Sequence, residues 1–218
     1  MTKQNGRTEL IFILDRSGSM HHLTEDTIGG FNSVLESHRK EEGECHVTTI
    51  LFSHEISLLH DRLPVQAVHP MSRKEYVAGG STALLDAMGY GIEKIEKVYR
   101  ALDEQYRPEH VQFVIITDGY ENSSEKYTKA MIRSLIDRHQ EKDGWDFLFL
   151  GANMDAVAEA ASLGIQADRA VTAMADDIGM KMQYDAVASA SLAFRRSGQR
   201  DAEWKAPVEA DTKRRGRR

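Results

Sequence analysis

An unbroken apolar run, Leu10-Ile11-Phe12-Ile13-Leu14, gives way in one step to Asp15-Arg16-Ser17-Gly18-Ser19. A run of that length with no polar alternation fits a strand covered on both faces, as in a parallel sheet sandwiched between helices. The arrangement recurs at Val111 to Thr117, which carries Phe113, Val114, Ile115 and Ile116 and delivers Asp118-Gly119 into a turn. Between the two lies Gly79-Gly80-Ser81-Thr82, followed by a strongly periodic helix. Ligands of open α/β sheets gather beyond the carboxyl ends of strands, where the strand order reverses, so these three pieces can meet at one point.

The donors that would meet there are Asp15, Ser17, Ser19, Thr82 and Asp118. Carboxylates and hydroxyls with no nearby Cys or His set suit magnesium, calcium or manganese and argue against zinc or copper. Two carboxylates and three neutral hydroxyls leave an octahedral ion electron-poor, and charge balance favours a carboxylate from a partner's Asp or Glu as its last ligand. Each piece also has a plainer reading. Asp-x-Ser-x-Ser alone is more often a cap or turn, a lone Thr after two glycines is usually an N-cap, and Asp-Gly is usually just a turn.

Taken together, the three pieces resemble the metal-ion-dependent adhesion site of von Willebrand factor A domains, in family order: Asp15-Arg16-Ser17-Gly18-Ser19, then Thr82, then Thr117-Asp118-Gly119. The likeness covers about residues 7 to 197. It implies that Ser17, Ser19 and Thr82 touch the metal directly or nearly so, and that Asp15 and Asp118 often act through water. One departure is Ser81, inserted where many members pass straight from Gly-Gly to Thr; if Ser81 faced the ion, the third contact would move by one residue. The implied cofactor is magnesium, with manganese able to substitute and calcium, larger and seeking more donors, fitting less well. The implied partner is a protein presenting an Asp or Glu, and intracellular members of this kind often work with AAA-type ATPases or in stress-response assemblies. His21, His22, Ser81, Tyr120 and Glu121 flank the donors and are expected on the rim, where they would tune partner choice.

The rest of the chain alternates strands and helices, which is the signature of a doubly wound, Rossmann-like, mostly parallel sheet with helices on both faces. Ile28, Phe31, Leu35 and His38 recur at helical spacing, as do Leu85, Met88, Ile92, Ile95, Tyr99 and Leu102. The extended runs His46 to Ser53 and Glu55 to Leu63 are so close that only a hairpin joins them, so one antiparallel edge strand is expected. Further on, the pattern predicts a helix with Tyr127, Met131 and Leu135 inward, a strand Trp145 to Leu150, and a helix capped by Asn153 and stopped by Gly164. A short strand around Arg169 to Thr172 and a last helix burying Met180, Tyr184, Val187, Ser191 and Phe194 complete it.

Residues 1–197 are read as the domain and 198–218 as a disordered basic tail, since the latter lacks apolar periodicity and ends Lys213-Arg214-Arg215-Gly216-Arg217-Arg218. Five positive charges in six residues, against a chain total of −6, set a basic end on an acidic body. Such a tail suggests contact with nucleic acid, an acidic protein face or the body itself, or simply solubility. Aromatic residues are not interleaved with the basic ones, so a nucleic-acid platform is not expected. No apolar stretch approaches a membrane span, the start Met1-Thr2-Lys3-Gln4-Asn5 has no signal-peptide core, and Cys45 is the single cysteine, which together favour a cytoplasmic protein.

An enzyme is not expected. A haloacid-dehalogenase-like phosphotransferase needs an Asp where Ser17 stands, and neither a phosphate loop nor a Gly-x-Ser-x-Gly nucleophile turn is present. His54-Glu55 lacks the second His of a zinc protease helix.

Overall fold

The protein is described by a computed structural model over residues 6–199, 201 and 203–216. The polar start at residues 1–5 and the last two arginines of the basic terminus lie outside the described residues. Six strands form one sheet: β1 (Thr8–Asp15), β2 (Cys45–Phe52), β3 (Ile56–Pro64), β4 (His110–Thr117), β5 (Asp146–Ala152) and β6 (Ala170–Ala173). Their order is β3-β2-β1-β4-β5-β6. All neighbouring pairs are parallel except β2 with β3, which form the expected hairpin, with register shifts near Thr49. The chain leaves β1 toward β2 on one side and reaches β4 on the other, so the order reverses between β1 and β4.

Helices α1 (Thr24–Arg39) and α5 (Asp177–Ser197) cover one face; α2 (Leu84–Ala101), α3 (Lys129–Asp143) and α4 (Ala156–Ser162) cover the other. Strand β1 shows why its sequence is apolar throughout. Leu10, Phe12 and Leu14 point into the core with Phe31 and Val187, while Ile11 and Ile13 point into the opposite core with Met88 and Ile92. Every residue of β1 is buried. Helices α1 and α5 approach closely at Gly30, where a Cβ would stand 2.1 Å from a ring carbon of Tyr184.

Three expectations are corrected. Helix α3 buries Ile132, Ile136 and His139, and Tyr127 and Leu135 pack against the same core as expected, while Met131 is exposed. The predicted phase began at Tyr127, which precedes the helix and is held in the loop by its N–H donating to Asp86 Oδ1 at 2.9 Å. Helix α4 is capped by Asp155, whose side chain accepts from the Ala158 N–H at 2.9 Å, and not by Asn153, whose φ of 53° places it in the left-handed region.

The third correction concerns the supposed disordered tail. Residues Ala206–Arg215 form a helix, α6, that packs against β6 and α5. Two apolar side chains suffice to anchor it: Trp204 and Val208 are buried, and the Trp204 indole N–H donates to the Asp168 carbonyl at 2.8 Å. Farther along, the Thr212 hydroxyl donates to the Thr172 carbonyl at 3.1 Å, and Arg215 pairs with Asp211 and Asp176. The edge of β6 is thereby covered, as exposed sheet edges generally must be. One buried tryptophan in the turn ahead of the helix and one buried valine inside it are too short a signal for periodicity to register.

Candidate metal centre

Strands β1 and β4 are neighbours, and their carboxyl ends bring Asp15 and Asp118 to one pole of the sheet. The first loop is shaped by Asp15, whose Oδ1 accepts the Ser17 N–H at 2.7 Å. Its other oxygen, Oδ2, accepts the Thr117 hydroxyl at 2.6 Å, and its backbone carbonyl accepts the hydroxyl of the buried Tyr76. Ser17 Oγ and Ser19 Oγ lie 3.1 Å apart, and the Ser19 hydroxyl donates to Asp118 Oδ1 at 2.5 Å. The first and third loops therefore touch directly.

The second loop joins them through its backbone. Gly79 N–H donates to the Arg16 carbonyl at 2.8 Å, and Gly18 N–H to the Gly80 carbonyl at 2.9 Å. Gly80 adopts φ 81° and lies against the His54 ring, which a Cβ would strike at 2.0 Å, so only glycine fits. Thr82 is tied to the third loop on both sides: its N–H donates to Asn122 Oδ1 at 2.9 Å, and its carbonyl accepts the Asn122 N–H at 3.0 Å. A Cβ built on Gly119 would lie 3.7 Å from Thr82 Oγ1 and 4.0 Å from Ser19 Oγ, so both hydroxyls face the same point beside Asp118. Thr82 is buried, whereas Ser81 lines a separate cavity with His54, Ile56, Asp86 and Tyr90. The inserted Ser81 thus turns away, and Thr82 faces the other donors.

The electrostatics call for a cation. Burial pushes the Asp15 carboxyl up to about 6, against the lowering effect of its hydrogen bonds to Thr117 and Ser17, and the nearby Asp118 charge adds to the rise. Burial likewise raises Asp118, partly offset by the Ser19 hydroxyl and by His22. Asp118 Oδ2 is buried and has no hydrogen-bond partner. An orphaned carboxylate oxygen in a dry pocket is costly unless something positive meets it. Among the described residues no three His, Cys, Asp or Glu side chains are placed to hold a metal ion between them, so the donor set here is two carboxylates with hydroxyls. That chemistry fits a hard divalent ion, and Asp15, Ser17, Ser19, Thr82 and Asp118 are the residues that would hold it.

The rim differs in part from expectation. His21 and His22 are exposed, with His22 Nδ1 2.8 Å from the Ser19 carbonyl, and they line a cavity of about 320 Å³ with Arg73, Tyr76 and Val77. Tyr120 is 52% exposed, and its hydroxyl accepts the Asp155 N–H at 3.1 Å. Glu121 is not a free rim residue. Its carboxylate accepts the N–H groups of Leu85 at 2.9 Å, Ser123 at 2.8 Å and Ser124 at 2.6 Å, as well as the Ser124 hydroxyl at 2.7 Å. It closes the start of α2, where the helix dipole favours negative charge, and organises the loop after Asp118. The supporting roles of Thr117, Tyr76 and Asn122 were not expected from the sequence, where Thr117 stood only as part of the third motif piece. Thr117 directly precedes Asp118 and was visible as the one polar residue ending an apolar strand; Asn122 follows Tyr120 and Glu121 and reads as a rim residue, whereas it braces Thr82, and Tyr76 gave no local signal.

No family model matches the chain, and no curated protein matches it. Solved structures do. The proximal thread matrix protein 1 of the mussel byssus, solved with a zinc-occupied MIDAS motif, superposes with a TM-score of 0.59 at 13% identity over 88% of this chain and 47% of that one. A von Willebrand factor type A protein from Catenulispora acidiphila gives 0.58 at 14% identity over 85% of this chain and 43% of its own. Manganese-loaded TRAP protein of Plasmodium vivax gives 0.55 at 14% identity over 78% and 69%. The fold is that of von Willebrand factor A domains. The chain spans less than half the length of the mussel and Catenulispora structures.

Proposed function

We propose that this protein is a non-enzymatic, divalent-metal-dependent protein-binding module. Asp15, Ser17, Ser19, Thr82 and Asp118 hold a magnesium ion, and an Asp or Glu side chain of a partner completes its shell. The observation that carries this reading is the buried, unpartnered Asp118 Oδ2 beside three converging hydroxyls. Metal-bearing sites in structures of the same fold support it. Manganese substitutes for magnesium, and calcium does so poorly. The ion, once bound, supplies a positive centre; the chain's own part is to hold it rigidly through Thr117, Tyr76 and Asn122 and to leave the Ser19 side open.

A nucleic-acid role for the C-terminus is disfavoured, because Arg214 and Arg215 of α6 are engaged by Asp211 and Asp176. An AAA-type ATPase or a stress-response assembly as the partner rests on the motif resemblance alone, and a cytoplasmic setting on the polar start, the single cysteine and the absence of a long apolar stretch in the sequence. Among the described residues no helix is long and apolar enough to cross a membrane.

The test is a thermal melt with and without magnesium. A ligand at a hundred times its Kd that binds only the folded state adds about 2.7 kcal/mol, roughly 5–10 °C for a chain of this size. Asp15→Ala and Asp118→Ala should each abolish that rise. Equal responses in parent and variants would remove the site, and partner capture that survives chelator would move the interface elsewhere.

A further inference from the structure

Arg16 stands between two of the metal-site residues and is itself unassigned. Its backbone is fixed on both sides, the N–H donating to the Phe52 carbonyl at 2.7 Å and the carbonyl accepting from Gly79 at 2.8 Å. The side chain is another matter. Among the described residues it is the one arginine whose guanidinium makes no hydrogen bond or ion pair, and its Nε–H is hidden from solvent with no acceptor. The other described arginines show what this chain ordinarily does with the group. Arg62 pairs with Glu9, Arg169 with Asp146, Arg215 with Asp176 and Asp211, and Arg107 and Arg195 donate to backbone carbonyls.

A half-buried guanidinium with a desolvated, unsatisfied donor costs stability until an acceptor arrives. Asp15 is engaged by Ser17 and Thr117 and Asp118 Oδ1 by Ser19, while Asp118 Oδ2, which has no hydrogen-bond partner, takes none from Arg16 either. Arg16 therefore neutralises neither carboxylate, which leaves both for a cation, and its own charge remains unspent one residue from each of Asp15 and Ser17. Arginine suits this task because its planar fork reads a carboxylate through two parallel hydrogen bonds.

We infer that Arg16 is a specificity-determining residue that accepts a second carboxylate from the partner, so that the preferred ligand is a pair of neighbouring acidic side chains, one for the ion and one for Arg16. Side chains two residues apart on an extended segment share a face and lie roughly 7 Å apart. The inference rests on the metal-dependent reading above.

The experiment uses the full chain and two capped peptides, Gly-Glu-Gly-Glu-Gly and Gly-Glu-Gly-Gln-Gly, titrated with magnesium and with chelator. The parent should bind the doubly acidic peptide about tenfold more tightly than the singly acidic one, with both requiring magnesium. Arg16→Gln should lose the preference while keeping the parent's magnesium-induced rise in melting temperature, which shows that fold and metal site are intact. Arg16→Lys should keep part of it, and serves as the folded control if Arg16→Gln does not fold. Metal-dependent binding without any preference in the parent, or with the preference intact in Arg16→Gln, overturns the role of Arg16 and spares the metal-dependent reading. No magnesium-dependent binding of either peptide overturns both.

Discussion

The Thr117 hydroxyl lies 2.6 Å from Asp15 Oδ2, so the residue before one aspartate of the candidate metal centre orients the other. Donation from Thr117 fixes the carboxylate while its second oxygen, Oδ1, shapes the Ser17 loop. Thr117→Val keeps the shape and deletes the donor. It should lower stability by about 1–3 kcal/mol, the cost of stranding a buried acceptor. Loss of an outer-shell partner should also weaken magnesium affinity about 10- to 100-fold. Magnesium titration of the melting temperature measures both effects; an unchanged midpoint would show that Asp15 needs no such support.

Glu121 gives a prediction opposite to that for a partner-contacting residue. Glu121→Gln retains size but weakens the hydrogen bonds to Leu85, Ser123 and Ser124 and removes negative charge at the start of α2. Chemical unfolding should show a loss of about 1–2 kcal/mol. Selectivity among acidic peptides should not change. A variant with parental stability and altered selectivity would return Glu121 to the rim.

Helix α6 contributes to stability. Trp204→Ala removes a side chain that is 3% exposed and should cost about 3–5 kcal/mol in denaturant unfolding. Truncation after Ser197 should destabilise the chain comparably while leaving any weak binding to RNA or DNA where it was. Truncation with no change in unfolding midpoint would restore the picture of a dispensable tail.

Acid sensitivity should centre on His38. Burial first, and the Arg195 charge second, push its pKa down to about 3 from an ordinary 6.5. The Ser191 hydroxyl donates to the Val187 carbonyl at 2.7 Å, so at 2.8 Å it accepts from His38 Nε2–H, which sets a neutral tautomer. The unfolded chain takes up this proton below pH 6.5 and the folded chain does not until about pH 3. Stability from the neutral ring is therefore complete above pH 6.5 and declines as the pH falls toward 3. Between pH 7 and 5 the parent should lose about 2 kcal/mol more than His38→Gln. Parallel losses in urea unfolding at the two pH values would assign the acid sensitivity to other groups.

Much of this was legible in the chain because it depends on local pattern. Buried strands read as apolar runs, and β1 and β4 were visible for that reason, together with the aspartates at their ends. The meeting of three loops was inferable from topology, since parallel strands deliver their carboxyl ends to one pole. What escaped was set by partners distant in sequence. Glu121 looked like a rim acid because its acceptor role depends on Leu85, 36 positions away. Met131 was placed inward because Tyr127 was counted as helical, whereas Asp86 holds it outside α3. Asn153 and Asp155 are both good caps by type, and only the backbone at Asn153 decided between them. Trp204 and Val208 were lost among charges.

The course of α6 also bears on how the protein can be handled. From Trp204, beside Asp168 just ahead of β6, the chain runs to Arg215, beside Asp176 just past it, and so toward the pole where β1 ends. A fluorophore, affinity handle or surface tether appended after Gly216 would emerge on the same side as Asp15 and Asp118 and crowd any incoming macromolecule. Immobilisation ahead of Thr8 leaves that side clear.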